Sequence, residues 1–110
     1  MTDMTFDFKT YQQQALTTAL PSALNEEYML GNLAGEVGEV LGAWSKARRD
    51  DWPREKLIEE LKAEMGGVLW QLAGTCEVFG LSLQEVAEYN LRELADRKAR
   101  NVITGSGNHR

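Results

Sequence analysis

The sequence predicts an all-α protein, a four-helix bundle. Apolar residues recur at spacings of three and four in four stretches, and no period-two run bounded by turn residues signals a strand. The breaks between the stretches carry proline, glycine or residues suited to capping. Amphipathic helices joined by loops this short bury their stripes against one another as a bundle. With 110 residues and no internal repeat, the chain reads as a single domain over 1–110. Within it, 101–110, with Gly105-Ser106-Gly107, reads as a tail that is mobile unless a partner orders it.

The first helix is expected over about 5–19, with Phe8, Tyr11, Ala15 and Leu16 on one face and Pro21-Ser22 ending it. The second starts near Asn25, whose side chain can cap it while Glu26 and Glu27 favour the positive end of the helix dipole. Its stripe is Met29, Leu33, Val37, Val40, Leu41 and Trp44, running to about Arg48. The loop Asp50-Asp51-Trp52-Pro53 feeds a third helix, with Pro53 suited to the first turn. Leu57, Leu61, Met65, Val68 and Leu72 form its stripe, and Gly80 fits a left-handed C-terminal residue. Ser82 with Glu85 predicts a capping box for the fourth helix, which carries Leu83, Val86, Ala87, Asn90, Leu91 and Leu94 to about Ala99.

Composition narrows the function. The hydrophobic content of 43% and charged content of 26% are those of an ordinary globular protein. A net charge of −5 argues against a nucleic-acid surface, which needs clustered Lys and Arg to neutralise phosphates. The basic groups are local (Lys46, Arg48, Arg49; Arg92, Arg97, Lys98, Arg100) and suit a phosphorylated small molecule or a solvated helix face. The lone Cys76 excludes an intramolecular disulfide and a Cys-based zinc cluster, and reads as a buried small side chain. No apolar run approaches the roughly 20 residues that span a bilayer. The N-terminus, with Asp3 and Asp7, lacks the basic and apolar regions of a signal peptide, so no membrane partner and a cytoplasmic location are expected.

Chemistry concentrates in two segments, Gly35-Glu36-Val37-Gly38-Glu39 and Glu60-Leu61-Lys62-Ala63-Glu64-Met65-Gly66-Gly67. Positions i and i+3 share a helix face. Glu36 and Glu39 flank one apolar stripe, and Glu60, Glu64, Gly67 and Gln71 flank the other, so packing the stripes brings both acidic flanks to one groove. Converging carboxylates repel unless a divalent cation lies among them. Hard oxygen donors select magnesium (Mg2+), with manganese (Mn2+) next, and magnesium bridges carboxylates to substrate phosphates. The structural alternative is that such glutamate pairs merely decorate solvated helices.

Gly35-Glu36-Val37-Gly38-Glu39-Val40, followed by Glu64-Met65-Gly66-Gly67-Val68-Leu69-Trp70, resembles the two signature segments of the MazG-like all-α nucleoside triphosphate pyrophosphohydrolases. That family's pattern is Glu-x-x-Glu, a spacer of this order, then Glu-x-x-Asp. The run from Asn90 to Arg100, with Val102-Ile103 and Gly105-Ser106-Gly107 after it, resembles the end of many short members, so the likeness covers about residues 28–110. The resemblance implies a magnesium-dependent enzyme that converts a nucleoside or deoxynucleoside triphosphate and water to the monophosphate and pyrophosphate, in nucleotide-pool control or house-cleaning. By position, Glu36, Glu39 and Glu64 would be metal ligands and catalytic carboxylates. The family's habit also implies a homodimer or homotetramer.

Two positions depart from the pattern. Gly67 stands where the family has its final Asp, and Gly66-Gly67 lies in a helix interior at about 1 kcal/mol per glycine relative to alanine. Three readings are open: water or Glu60 fills the fourth ligand position; activity has been lost; or the glycines serve close helix packing. Glu93 stands where relatives commonly carry Lys, so substrate phosphates would rest on Arg97, Lys98 or Arg100. Asn90 would need a hydrogen-bond partner if buried, and substrate is one candidate. Asp96 is either a further site carboxylate or an ion-pair partner of Arg92 or Arg100. Trp44 and Trp70 are candidates to stack on a base, against the plainer reading of core aromatics. His109, in the tail, reads as solvated. Two rival functions remain: a nucleotide- and metal-binding member impaired by Gly67, and a helical adaptor with no ligand.

Overall fold

The computed structural model describes residues 5–105, so Asp3, His109 and the end of the expected tail lie outside the described residues. Four helices run in order: α1 (Phe8–Ala15), α2 (Glu26–Asp50), α3 (Arg54–Val78) and α4 (Leu83–Ala99). There is no strand among the described residues. No helix of the described residues is long and apolar enough to cross a membrane.

The local chemistry sets most boundaries. Asn25 accepts from the Tyr28 amide at 2.8 Å and opens α2. Asp51, left-handed at φ 53°, ends it. Pro53 precedes α3, Gly80 takes φ 71° after it, and the Ser82 hydroxyl accepts from the Glu85 amide at the start of α4. The first helix is shorter than the expected 5–19. Asp7 accepts from the Thr10 amide at 2.8 Å, so the helix starts at Phe8. At its other end the Thr17 and Thr18 hydroxyls donate to the carbonyls of Gln14 and Ala15, both at 2.7 Å, and the chain tightens into 3-10 turns at Leu16–Thr18 and Pro21–Ala23.

The two 25-residue helices α2 and α3 fold back on each other across Asp51-Trp52-Pro53 as a hairpin, each about 37 Å long. This is the main helix–helix interface. The second half of α3 also meets α1 and α4, and there the core closes. Ala73, Cys76 and Leu83 are buried together, with Tyr11 and Leu69 packed on them. Burial pushes the Cys76 thiol up from its ordinary pKa, which keeps it an unreactive packing group. Met29 is fully buried against Gly74, where a Cβ would come 2.5 Å from the Met29 sulfur. The Gln71 amide donates to the Met29 carbonyl at 3.1 Å, fixing α2 to α3 at this level. Buried Gln12 reaches from α1, donating to Glu77 and to the Leu81 carbonyl and accepting from the Leu83 amide at 2.7 Å.

The free half of the hairpin is unlike this closed end. Val37, Leu41, Trp44 and Met65 are each about half exposed, with Leu41 at 62%. On α4, Tyr89 and Leu91 are equally bare. The radius of gyration is 16.9 Å, against about 13 Å for a compact domain of this length.

Candidate metal centre

The free half of the hairpin carries the carboxylates. Glu36 and Glu39 project from one face of α2, and Glu64 faces them from α3. One oxygen from each lies within 4.8 Å of the other two. The groove expected from the acidic flanks is therefore present. Glu60, one turn before Glu64, lines it without joining that trio.

Crowding marks the cluster electrostatically. The Glu36 carboxyl is held above its ordinary pKa, first by desolvation and then by the charge of, and a hydrogen bond with, Glu39. Glu64 is raised first by its hydrogen bond with Glu39, then by desolvation and the charges of Glu39, Glu36 and Glu60. Carboxylates sharing one site hold protons longer because ionising all of them is unfavourable. A divalent cation relieves that repulsion as well as protons do. The donor set is all hard oxygen, without sulfur or imidazole, and fits such an ion.

Gly67 faces this cluster. A Cβ at that position would come 2.7 Å from Glu36 Oε2 and 3.2 Å from its Cδ. The three nearest atoms all belong to the Glu36 carboxylate, the far end of a flexible side chain, which lies in the room that a side chain at 67 would use. Gly66 has open space around it.

The groove encloses about 470 Å³ and draws its lining from α2, α3 and the turn between them. Beyond Glu39, Glu60 and Glu64 it is walled by Gly35, Gly38, Gly42, Lys46 and Trp52. The sequence reading placed Lys46 only in a local basic run and Trp52 only in a loop. The signal that could have found Lys46 is its position seven residues after Glu39, two turns along the same face of α2. Trp52 had no such signal, because a loop residue belongs to no helical face.

The other candidates lie elsewhere. Trp70 donates its indole N–H to the Ala15 carbonyl at 3.1 Å and to the Thr18 hydroxyl at 3.0 Å, and so ties α3 to the end of α1. Trp44 borders an apolar groove with Val37, Leu41, Leu61, Met65 and Val68, and carries the Arg48 guanidinium 4.9 Å above its ring. On α4, Asn90 and Lys98 are exposed. Arg97 is buried with Glu93 at 3.8 Å, and Arg100 pairs with Asp96 at 2.8 Å. None of these residues lines the acidic groove.

Comparison with known proteins agrees with this geometry. A profile of the MazG nucleotide pyrophosphohydrolase domain matches residues 24–101. The chain is similar to the Gene 37 protein of Mycobacterium phage L5, 35% identical over 88 residues that cover 76% of this chain and 75% of that protein. No solved structure matches. The family match takes in both carboxylate-bearing segments, and the chain belongs to the MazG nucleotide pyrophosphohydrolase family.

Proposed function

We propose that this protein hydrolyses nucleoside or deoxynucleoside triphosphates between the α- and β-phosphates, with magnesium or manganese held by Glu36, Glu39 and Glu64. The convergence of those three carboxylates, within a chain of this family, carries the reading. A divalent cation bound there supplies charge neutralisation of the triphosphate and a more acidic water. The protein's part is to hold and orient. Glu39 interacts with both Glu36 and Glu64 and completes the cluster. One of these glutamates would also orient the attacking water or take its proton. One P–O bond forms to the water oxygen, the bond to the bridging oxygen breaks, and pyrophosphate leaves with the monophosphate as the second product. Glu60 is the reserve ligand, one turn away in the same groove.

Pyrophosphate release from a panel of (d)NTPs, with and without magnesium or manganese, tests the reading. Metal-dependent release by the unaltered protein supports it. Metal-dependent binding without release supports the impaired member, a reading that Gly67 favours. In that case Gly67→Asp should raise turnover by orders of magnitude from near zero. A melting temperature indifferent to metal plus nucleotide would leave only the adaptor, since binding to the folded state must stabilise it.

The assembly belongs to the same proposal. The apolar groove bordered by Val37, Leu41, Trp44, Met65 and Leu72 has a volume of about 720 Å³ and almost wholly apolar walls, which suits a second copy of the chain. A homodimer, or a homotetramer built from it, would cover this face in the cytoplasm where nucleotide pools lie. Size-exclusion chromatography with light scattering should give a multiple of 12.4 kDa. A monomer across all concentrations would overturn the assembly.

A further inference from the structure

The acidic groove does not stop at the carboxylates. Its walls continue to the hairpin turn, where Trp52 and Lys46 line the same 470 Å³ as Glu39, Glu60 and Glu64. Trp52 is half-buried, and the Lys56 ammonium stands 4.3 Å over its ring. That contact steadies the indole and makes one face of it unavailable. Lys46 is exposed and brings positive charge to a groove otherwise lined by carboxylates. Between these ends the wall is backbone: a Cβ at Gly35, Gly38 or Gly42 would meet nothing within 4 Å, so packing within the chain does not require glycine there. Those glycines leave that stretch of wall without side chains, so a planar ring can approach the helix backbone there.

We infer that the groove is a nucleotide cradle in which Trp52 stacks on the base and Lys46 anchors the triphosphate, and that it accepts all four bases with little discrimination. The inference rests on the function proposed above and names a subsite of it. Stacking supplies affinity without reading identity, because every base offers a π-face. Lysine provides a point charge to phosphate rather than a geometric fork. Strong base selection needs buried hydrogen-bonding groups that a wrong base leaves unpaired. Among the described residues, the lining holds no Asn, Gln, Ser, Thr, His or Tyr to serve that way.

The test is binding rather than turnover. Fluorescence and calorimetric titrations with magnesium would compare α,β-methylene analogues of the four nucleoside triphosphates with inorganic tripolyphosphate, which has no base. In the unaltered protein, nucleotides should quench tryptophan emission and the four bases should bind within about tenfold of one another. Trp52→Leu should weaken the nucleotides about tenfold while leaving tripolyphosphate unchanged. Trp52→Phe should keep nucleotide affinity and lose most of the quench, which guards against a leucine variant that fails to fold. Lys46→Gln should weaken nucleotides and tripolyphosphate alike. Unchanged nucleotide affinity in Trp52→Leu, or a preference above about 100-fold for one base, overturns the cradle while the proposed function stands. If the unaltered protein binds neither nucleotide nor tripolyphosphate, the function itself falls and the cradle with it.

Discussion

The two halves of α3 are built to different standards. From Gln71 to Cys76 the helix is enclosed: Ala73 and Cys76 join the core with Leu83, and Gln71 holds the Met29 carbonyl. From Glu60 to Gly67 the same helix has α2 on one side only, carboxylates that crowd one another, and half-exposed Met65. The enclosed half spends its polar groups on hydrogen bonds within the chain. The open half keeps its carboxylates close in mutual repulsion, and among the described residues no ion pair is made to Glu36, Glu39 or Glu64. The core and the proposed site are thus separated along one helix, and ligand binding should strengthen the half that the fold leaves weak.

The largest test of that separation removes Glu39, the carboxylate that acts on both Glu36 and Glu64. Glu39→Ala should lower metal-dependent pyrophosphate release by about 100-fold or more, yet leave the apo protein at least as stable, because a repulsion is lost. A large drop in apo melting temperature would break the comparison. Gln12→Ala is the counterpart at the enclosed end. Losing its hydrogen bonds to Glu77, Leu81 and Leu83 should cost about 2 kcal/mol in urea denaturation, with metal affinity per folded molecule unchanged.

Glycine substitutions sharpen the contrast on a smaller scale. Gly74→Ala forces a Cβ against fully buried Met29 and should cost about 1–3 kcal/mol. Gly66→Ala meets open space within a helix and should gain up to about 1 kcal/mol. Equal effects at the two sites would erase the distinction.

The smallest effect is on pH. Glu36 and Glu64 have raised folded-state pKa values, so between the unfolded and folded values the folded protein holds more protons. Apo stability should therefore rise as pH falls from neutrality through that window and should level off below the ordinary glutamate range. With saturating magnesium the stabilisation due to metal should shrink over the same window, because protons compete for the oxygens. Melting curves at several pH values, with and without metal, read both trends.

How much was legible follows the range of the interactions. Caps are local, and Asn25, Gly80 and Ser82 marked α2, the end of α3 and the start of α4 where they occur. The meeting of Glu36, Glu39 and Glu64 was legible too, since periodicity places them on facing flanks. The length of α1 was missed because Asp7 and the two threonines reset its ends by side-chain hydrogen bonds that an apolar stripe does not register. The task of Trp70 depends on partners 55 and 52 residues away, and no spacing rule reaches that far. Asn90 sits on the expected stripe, yet it is exposed because α4 packs chiefly on α1 rather than along the hairpin.

The contact between Gly67 and Glu36 has a consequence for how this sequence can change. An aspartate at 67 would enter space that the Glu36 carboxylate already occupies, although that carboxylate is the far end of a flexible side chain and can swing away. The value of the substitution therefore depends on what stands at 36, and the two positions should be epistatic. Gly67→Asp alone and Gly67→Asp with Glu36→Ala should not differ by the effect of Glu36→Ala measured on its own. Reverting toward the family pattern is a step in two coordinates, and single substitutions sample only its edges.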